Sequence, residues 1–440
     1  MPRLLPPARE TRTACGLLCG GRSGRAPSCR RLTRASIGKL AHGPERMYAR
    51  AMDEPKVTIS RRGSERLARG HLWIYRADVE KAPPALDSGD VVLVVDGRSR
   101  FLAKAFWSSR SKIALRVVTR EEEPVDEAFF AGRLAAAIDL RERAFGDERF
   151  VRLVHGEADL LPGLVVDRYG DVAVLQTLVP ATDRRKALLA DLVANALQLR
   201  AVLERNDVRV RELEGLGQTK GVLRGVDPGP VEYREGEVRM RLDLLAGQKT
   251  GAFLDQRENH LRAGEYARGR CVDCFSYAGG FALQLARRAA QVTAVEMQPT
   301  AAALLRENAA LNRAGNLEVV EANAFDWLRD RSEEAPAFDL VVLDPPAFAK
   351  SKDAVPAARR GYKEVNLRAM QTLKEGGVLV TCSCSHHMSE EAFEELVLDA
   401  ANDAGRRLQV LERRGAGRDH PVLMGVPETR YLKALFLRVI

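Results

Sequence analysis

From Cys271 to the end of the chain, short apolar runs alternate with Ala- and Leu-rich stretches of helical length, and this rhythm is what most restricts the fold. The strand candidates are Cys271–Phe275, Val292–Glu296, Leu317–Glu321, Leu340–Asp344, Val378–Cys384, Leu408–Arg413 and Leu432–Ile440. Helical patterns such as Phe281–Ala290 and Ala301–Leu311 lie between them. Strands that alternate with helices pair in parallel and are covered on both faces, so the pattern predicts an α/β, doubly wound, mostly parallel sheet. Ligands of such sheets bind outside the carboxyl ends of the strands. Four of those ends carry unusual residues.

The first is Asp273-Cys274-Phe275-Ser276-Tyr277-Ala278-Gly279-Gly280-Phe281, an acid at a strand end followed by a two-glycine loop and a helix start. Glycines let backbone approach a ligand, and a helix N-terminus offers free N–H groups. The loop lacks the G-x-G-x-x-G spacing of nicotinamide dinucleotide binders. The second is Glu296, which ends the next strand where an acid can hold a ribose hydroxyl pair. The third is Asp344-Pro345-Pro346-Ala347-Phe348. Its two prolines stiffen the loop, so Asp344 can hydrogen-bond a planar base edge while Phe348 stacks on its face. The fourth is Thr381-Cys382-Ser383-Cys384-Ser385-His386-His387. Period two puts Cys382 and Cys384 on one face, with Cys384 nearer the carboxyl end. A thiol there can act as a nucleophile if neighbours lower its pKa; buried structural thiols are the plain alternative. A Cys/His zinc site is disfavoured because the ligands crowd one strand, and no metal is expected.

The 440 residues, at about 100–200 per domain, leave room for more than this sheet. Regular short strands from Val57, with candidates at Val91–Val95, Leu102–Phe106 and Ile113–Val118, predict a small β-barrel-like domain over 56–124. There Arg61, Arg62, Arg66, Arg69 and His71 lie close to Trp73 and Tyr75, a mixture suited to phosphates and bases; a solvated face over a packed Trp reads equally well. A helix with apolar positions Phe129, Leu134, Ile138 and Leu140 opens a central α+β domain over 125–250. Its expected elements include strands near Leu164–Val166, Val172–Leu178, Val208–Val210 and Val238–Leu245, and a helix over 183–198. Cys271 and Cys274 have redox spacing, but three residues apart on a strand they face opposite ways.

The net charge of +9 would point to a nucleic-acid binder, yet residues 1–50 hold 11 Lys and Arg against only two acids, so the remainder is neutral. Residues 1–55 read as a basic tail without stable structure, either transit-like or an over-extended start ahead of Met47 or Met52. Seven cysteines without a disulfide framework fit a reducing cytoplasm. No run approaches the roughly 18 apolar residues of a membrane span.

Several motifs occur in one order: Gln248-Lys249-Thr250-Gly251-Ala252-Phe253-Leu254-Asp255-Gln256-Arg257-Glu258-Asn259, the Asp273–Phe281 loop, Asp344-Pro345-Pro346-Ala347-Phe348, Arg360-Gly361-Tyr362-Lys363, Cys382-Ser383-Cys384-Ser385 and Asp419-His420-Pro421. From about Val57 to Ile440 the chain resembles the ribosomal RNA large subunit methyltransferase I family, which methylates carbon 5 of a cytosine in 23S rRNA. The resemblance implies a PUA domain, a β-barrel that binds RNA, around Gly70-His71-Leu72-Trp73-Ile74-Tyr75. It implies a class I methyltransferase domain with a Rossmann-like fold over 251–440. By that resemblance, S-adenosylmethionine is held by Phe253, Asp255, Gln256, Arg257, Asp273, Phe275, Ser276, Gly279, Gly280, Glu296, Asn323, Ala324, Phe325 and Asp344. Cys384 and Asp344 are the implied catalytic pair. Pro345, Pro346, Phe348, Lys363, Arg61, Arg62 and Arg66 are the residues assigned to the RNA, with free 23S rRNA or an assembling large subunit as partner. A homodimer would follow from the family alone.

The chain departs from the family pattern at three places. Asn323 replaces an acid beside the adenine but still offers a carbonyl and an N–H. His260 stands where Arg is common, and Cys382 adds a second thiol. Two other functions compete: methylation of an exocyclic amine on adenine or guanine, which needs no thiol, and a non-catalytic RNA-binding assembly factor.

Overall fold

A computed structural model describes residues 54–247, 250–348 and 355–440. The basic tail as far as Asp53, together with Gln248 and Lys249 of the first motif, lies outside the described residues.

The N-terminal sheet holds six strands: β1 (Lys56–Ile59), β2 (Trp73–Tyr75), β3 (Val79–Lys81), β4 (Val91–Val95), β5 (Phe101–Trp107) and β6 (Ile113–Thr119), in the order β2-β6-β5-β4-β1-β3. The two edge strands, β2 and β3, are joined by the single turn Arg76–Asp78. Three residues span at most about 10 Å, so the sheet's edges are drawn together and it curls around Val57, Ile74, Val92, Val94, Ala105 and Val117, all buried. Arg61–Ala68 forms a helix capped by the Ser60 hydroxyl, which accepts from Gly63 N.

The central sheet comprises β7 (Phe150–His155), β8 (Leu164–Tyr169), β9 (Val172–Thr177), β10 (Ala201–Arg205) and β11 (Lys220–Arg224), ordered β11-β10-β9-β8-β7. Helices Glu127–Phe145 and Lys186–Leu197 cover one face. The sequence reading needs two corrections here. The expected strand at Val208–Val210 is a 3-10 turn, Arg209–Glu214, with Val210 exposed. The strand is instead Ala201–Arg205, whose buried residues Ala201–Glu204 pair in parallel with β9; local alternation at Val208 and Val210 lost to a neighbour with a sheet edge to join. Leu140 points to solvent rather than into the core.

A hairpin of β12 (Val231–Glu235) and β13 (Val238–Leu242) leads into the C-terminal sheet. That sheet holds β14 (Arg270–Cys274), β15 (Gln291–Glu296), β16 (Leu317–Glu321), β17 (Phe338–Leu343), β18 (Leu373–Ser383), β19 (Leu408–Arg414) and β20 (Lys433–Val439). Their order is β16-β15-β14-β17-β18-β20-β19; all pairs are parallel except those made by β20. Alternate residues divide between two cores. Val272, Cys274, Val341, Leu343 and Leu379 face helices Ala324–Ser332, Val355–Thr372 and Glu390–Asp403. Cys271, Ala294, Val342, Val380 and Cys382 face helices Arg257–Tyr266, Gly280–Ala286 and Pro299–Leu311. The sheet is doubly wound and mostly parallel, as the alternation predicts. Cys271 and Cys274 accordingly lie in opposite cores.

Candidate active site

The ends of β14, β15, β17 and β18 and the turn after β16 open onto one cleft of about 740 Å³. Each end is shaped by its own local chemistry.

After β14 the backbone takes positive φ at Phe275, Tyr277 and Gly279, three times in five residues. That twist carries the chain sharply from strand into helix. Behind the loop, Asp273 is 1% exposed; its Oδ2 accepts from Ala282 N at 3.0 Å, and Oδ1 has no partner among the described residues. Burial pushes its carboxyl up to about 7, and the charge of Asp344 adds to the shift while His260 opposes it.

At the end of β15, Glu296 is held by two backbone donors, Tyr277 N at 2.8 Å and Gln298 N at 2.7 Å. Each carboxylate oxygen keeps a second lone pair, so the group is fixed and still able to accept from a diol. Past β16, Asn323 caps helix Ala324–Ser332, with Oδ1 accepting from Phe325 N at 2.9 Å. Its amide N–H2 also reaches the Met297 sulfur at 3.8 Å, so one N–H and the second carbonyl lone pair remain for a ligand. Past β17, Asp344 accepts from Gln256 Nε2 at 2.9 Å. Phe275, Phe325 and Phe348 form a continuous aromatic wall, with ring centroids 6.1 and 5.8 Å apart, and Phe348 packs on Tyr362 at 4.6 Å.

Cys384 is the first residue beyond β18 and is half-buried in the cleft lining. It is the only thiol that lines the cleft among the described residues. Cys382, inside the strand, is fully buried; burial pushes its thiol well up, with Asp344 adding and a hydrogen bond with Gln256 opposing.

The floor of the cleft comes from the β12–β13 hairpin. Glu235, 1% exposed, accepts from the Tyr233 hydroxyl and bonds His260 Nδ1 at 2.8 Å. Burial pulls the His260 imidazole down, but the Glu235 charge and hydrogen bond outweigh it and leave the ring raised. The hairpin is locked to the C-terminal domain by Asn312 and Asn308, whose Oδ1 atoms accept from Arg239 N and Arg241 N.

Comparison with known proteins agrees with this geometry. A family model of a PUA-like domain matches residues 57–120, and one of an S-adenosylmethionine-dependent methyltransferase matches residues 225–438. The chain is 39% identical to the ribosomal RNA large subunit methyltransferase I of Tolumonas auensis, over 87% of this chain and 99% of the relative. The protein of that name from Salmonella arizonae is 36% identical, over 88% and 98%. The chain belongs to the ribosomal RNA large subunit methyltransferase I family. A crystal structure of SMU.776, a candidate methyltransferase complexed with SAH, shares the fold with a TM-score of 0.76 at 20% identity, covering 87% of this chain and 99% of that one. The cofactor of this methyltransferase domain is S-adenosylmethionine.

Most residues assigned to the methyltransferase site line the cleft: Phe253, Asp255, Gln256, Phe275, Ser276, Gly280, Glu296, Asn323, Ala324, Phe325, Asp344, Pro345, Pro346, Phe348 and Cys384. Asp273 and Gly279 are not among the lining residues; Asp273 sits behind the loop. Arg257 departs from expectation. Its guanidinium donates to the Phe150 carbonyl, lies 3.5 Å from Glu148, and stacks 4.8 Å over the Phe145 ring. It joins the central domain to the methyltransferase rather than facing the cleft. Lys363 pairs with Asp403 at 2.8 Å on the helices behind the sheet. Arg61 pairs with Glu65, whereas Arg62 and Arg66 both hold the fully buried Asp78, so all three cations have an acidic partner.

Sequence reasoning missed Tyr233, Glu235, Tyr431 and Lys433. The turn Gly236-Glu237 between alternating residues would have revealed the hairpin. Nothing local marks Tyr431 or Lys433, whose importance depends on which strand β20 joins.

Proposed function

We propose that this chain methylates carbon 5 of a cytosine in large-subunit ribosomal RNA, with Cys384 as the nucleophile and Asp344 holding the base edge. The observation that carries the reading is the position of Cys384: a single half-buried thiol on the wall that also holds Asp344, Pro345, Pro346 and Phe348.

The cleft suits the cofactor chemically. The backbone-anchored Glu296 carboxylate accepts from the ribose hydroxyls, and Asn323 offers its amide beside Phe325 and Phe275 for the adenine. Asp255, Gln256 and the Ser276–Gly280 loop border the remainder. When bound, the cofactor supplies an electrophilic methyl group on a sulfonium.

The residues of this chain supply the rest. A target cytosine unstacked from its RNA enters beside Phe348, and Asp344 fixes its polar edge. The Cys384 thiolate forms a bond to carbon 6, which places electron density on carbon 5. Carbon 5 would then form its bond to the methyl group as the methyl–sulfur bond breaks, the electron pair staying on sulfur as a neutral thioether. Loss of the carbon 5 proton and departure of the Cys384 thiolate restore the aromatic ring.

The test incubates purified protein with tritiated S-adenosylmethionine and ribosomal RNA from cells lacking the gene, comparing wild type, Cys384→Ser and Cys382→Ser. Label in 5-methylcytidine, lost only in Cys384→Ser, supports the reading. Label in a methylated purine, or full activity of Cys384→Ser, replaces it with transfer to an exocyclic amine.

A further inference from the structure

The geometry points to Lys433 as the positioning residue that holds the Cys384 thiol in its anionic form, a role that rests on Cys384 being the nucleophile. Lys433 opens β20 and stands opposite Ser383, the last residue of β18, in the antiparallel ladder. From there its side chain reaches the loop beyond β18. Nζ donates to the Ser385 carbonyl and to the Tyr431 carbonyl, each at 2.7 Å. The residue between Ser383 and Ser385 is Cys384, so Lys433 brackets the thiol's backbone: its own backbone stands opposite Ser383 and its amine bonds the Ser385 carbonyl. Lys433 is only 5% exposed. Glu390, a carboxylate that also bears on it, is already paired with Arg430 at 2.5 Å. An ammonium has three N–H donors, and the two carbonyls do not exhaust them.

The surroundings make this charge matter. Burial pulls the Lys433 amine down to about 8, while the Cys384 thiol, and then Glu390, pull it back up. Below about 8 the amine therefore carries its proton and faces the thiol as a buried cation. Among the described residues that line the cleft, His260 is raised but is bonded to Glu235, which balances its charge. Burial, helped by Lys433 and His387, holds the His386 ring below its usual range. The phenols of Tyr431 and Tyr362 are pushed up by burial. Asp344 and Asp255 line the same cleft and oppose a thiolate. With two carboxylates on the same cleft, removing this buried cation moves the thiol towards its neutral form.

The test measures Cys384 alkylation by iodoacetamide in the full-length protein from about pH 6 to 10. Modification is followed peptide by peptide by mass spectrometry in wild type, Lys433→Arg and Lys433→Gln. The expected result is a reactivity midpoint raised by about one unit in Lys433→Gln, hence about tenfold slower alkylation at neutral pH, with the low midpoint kept in Lys433→Arg. An unchanged midpoint in folded Lys433→Gln would reduce Lys433 to a loop tether and overturn the role. Should Lys433→Gln not fold, Lys433→Arg decides: a midpoint at that of a free thiol overturns it too. Alkylation requires neither RNA nor cofactor. Methyl transfer surviving Cys384→Ser would therefore sink the nucleophile reading separately, leaving the charge measurement intact.

Discussion

The Tyr431 hydroxyl donates to the Asp255 carboxylate at 2.6 Å, joining the segment before the last strand to the entrance of the helix Arg257–Tyr266. Asp255 is buried and lines the cleft, and Tyr431 is half-buried. A hydrogen bond to a charged group contributes about 1.5–3 kcal/mol. Tyr431→Phe should therefore weaken cofactor affinity about tenfold, measured by calorimetric titration, while circular dichroism shows the fold retained. Unaltered affinity would show that Asp255 needs no help from Tyr431.

Gly280 and His260 form a steric pair. A Cβ at Gly280 would sit 2.4 Å from His260 Cε1, closer than packed atoms approach. Gly280→Ala should destabilise by about 1–3 kcal/mol in urea unfolding. Adding His260→Ala should recover part of that loss, because the two substitutions act on one contact. Strict additivity would contradict the pairing.

Glu296→Gln keeps the shape of the side chain and turns one of its acceptors into a donor. One of the two backbone N–H groups, Tyr277 or Gln298, would then face another donor. A buried unsatisfied donor costs about 1–3 kcal/mol, so S-adenosylhomocysteine affinity should fall about tenfold or more. The loop conformation should also change, visible as altered protease sensitivity around Tyr277.

Asp273 makes stability depend on pH. Its folded carboxyl is raised to about 7 from an ordinary value of 3.8. A raised acid keeps its proton in the folded chain where the unfolded chain has lost it. The stabilisation is complete below the unfolded value and is lost as pH climbs towards 7, by up to about 1.4 kcal/mol per unit. Thermal melts of the cofactor-free protein between those values should show this fall, and Asp273→Asn should flatten it. Identical slopes for the two proteins would refute the assignment.

Much of the fold was legible because it is local. Alternation of short apolar runs with helices announced the doubly wound sheet, and acids, glycines and prolines at strand ends marked where the cleft would be. Cys271 and Cys274 could be sent to opposite faces by counting alone. Local patterns misled where two segments competed for one sheet edge, as at Val208–Val210, which yielded its place to Ala201–Arg205.

What the residues by themselves determined, then, was the set of strand ends and the chemistry gathered on them: Glu296, Asp344 and Cys384 follow from period and position along one strand each. Tertiary structure alone decided which distant groups reach those ends. The pairing of β20 with β18 brings Lys433 opposite Ser383, the hairpin slides Glu235 beneath His260, and Arg257 turns from the cleft to Phe150. Strand register and helix rotation are settled by burial summed over the whole sheet, and no single stretch of sequence carries that sum.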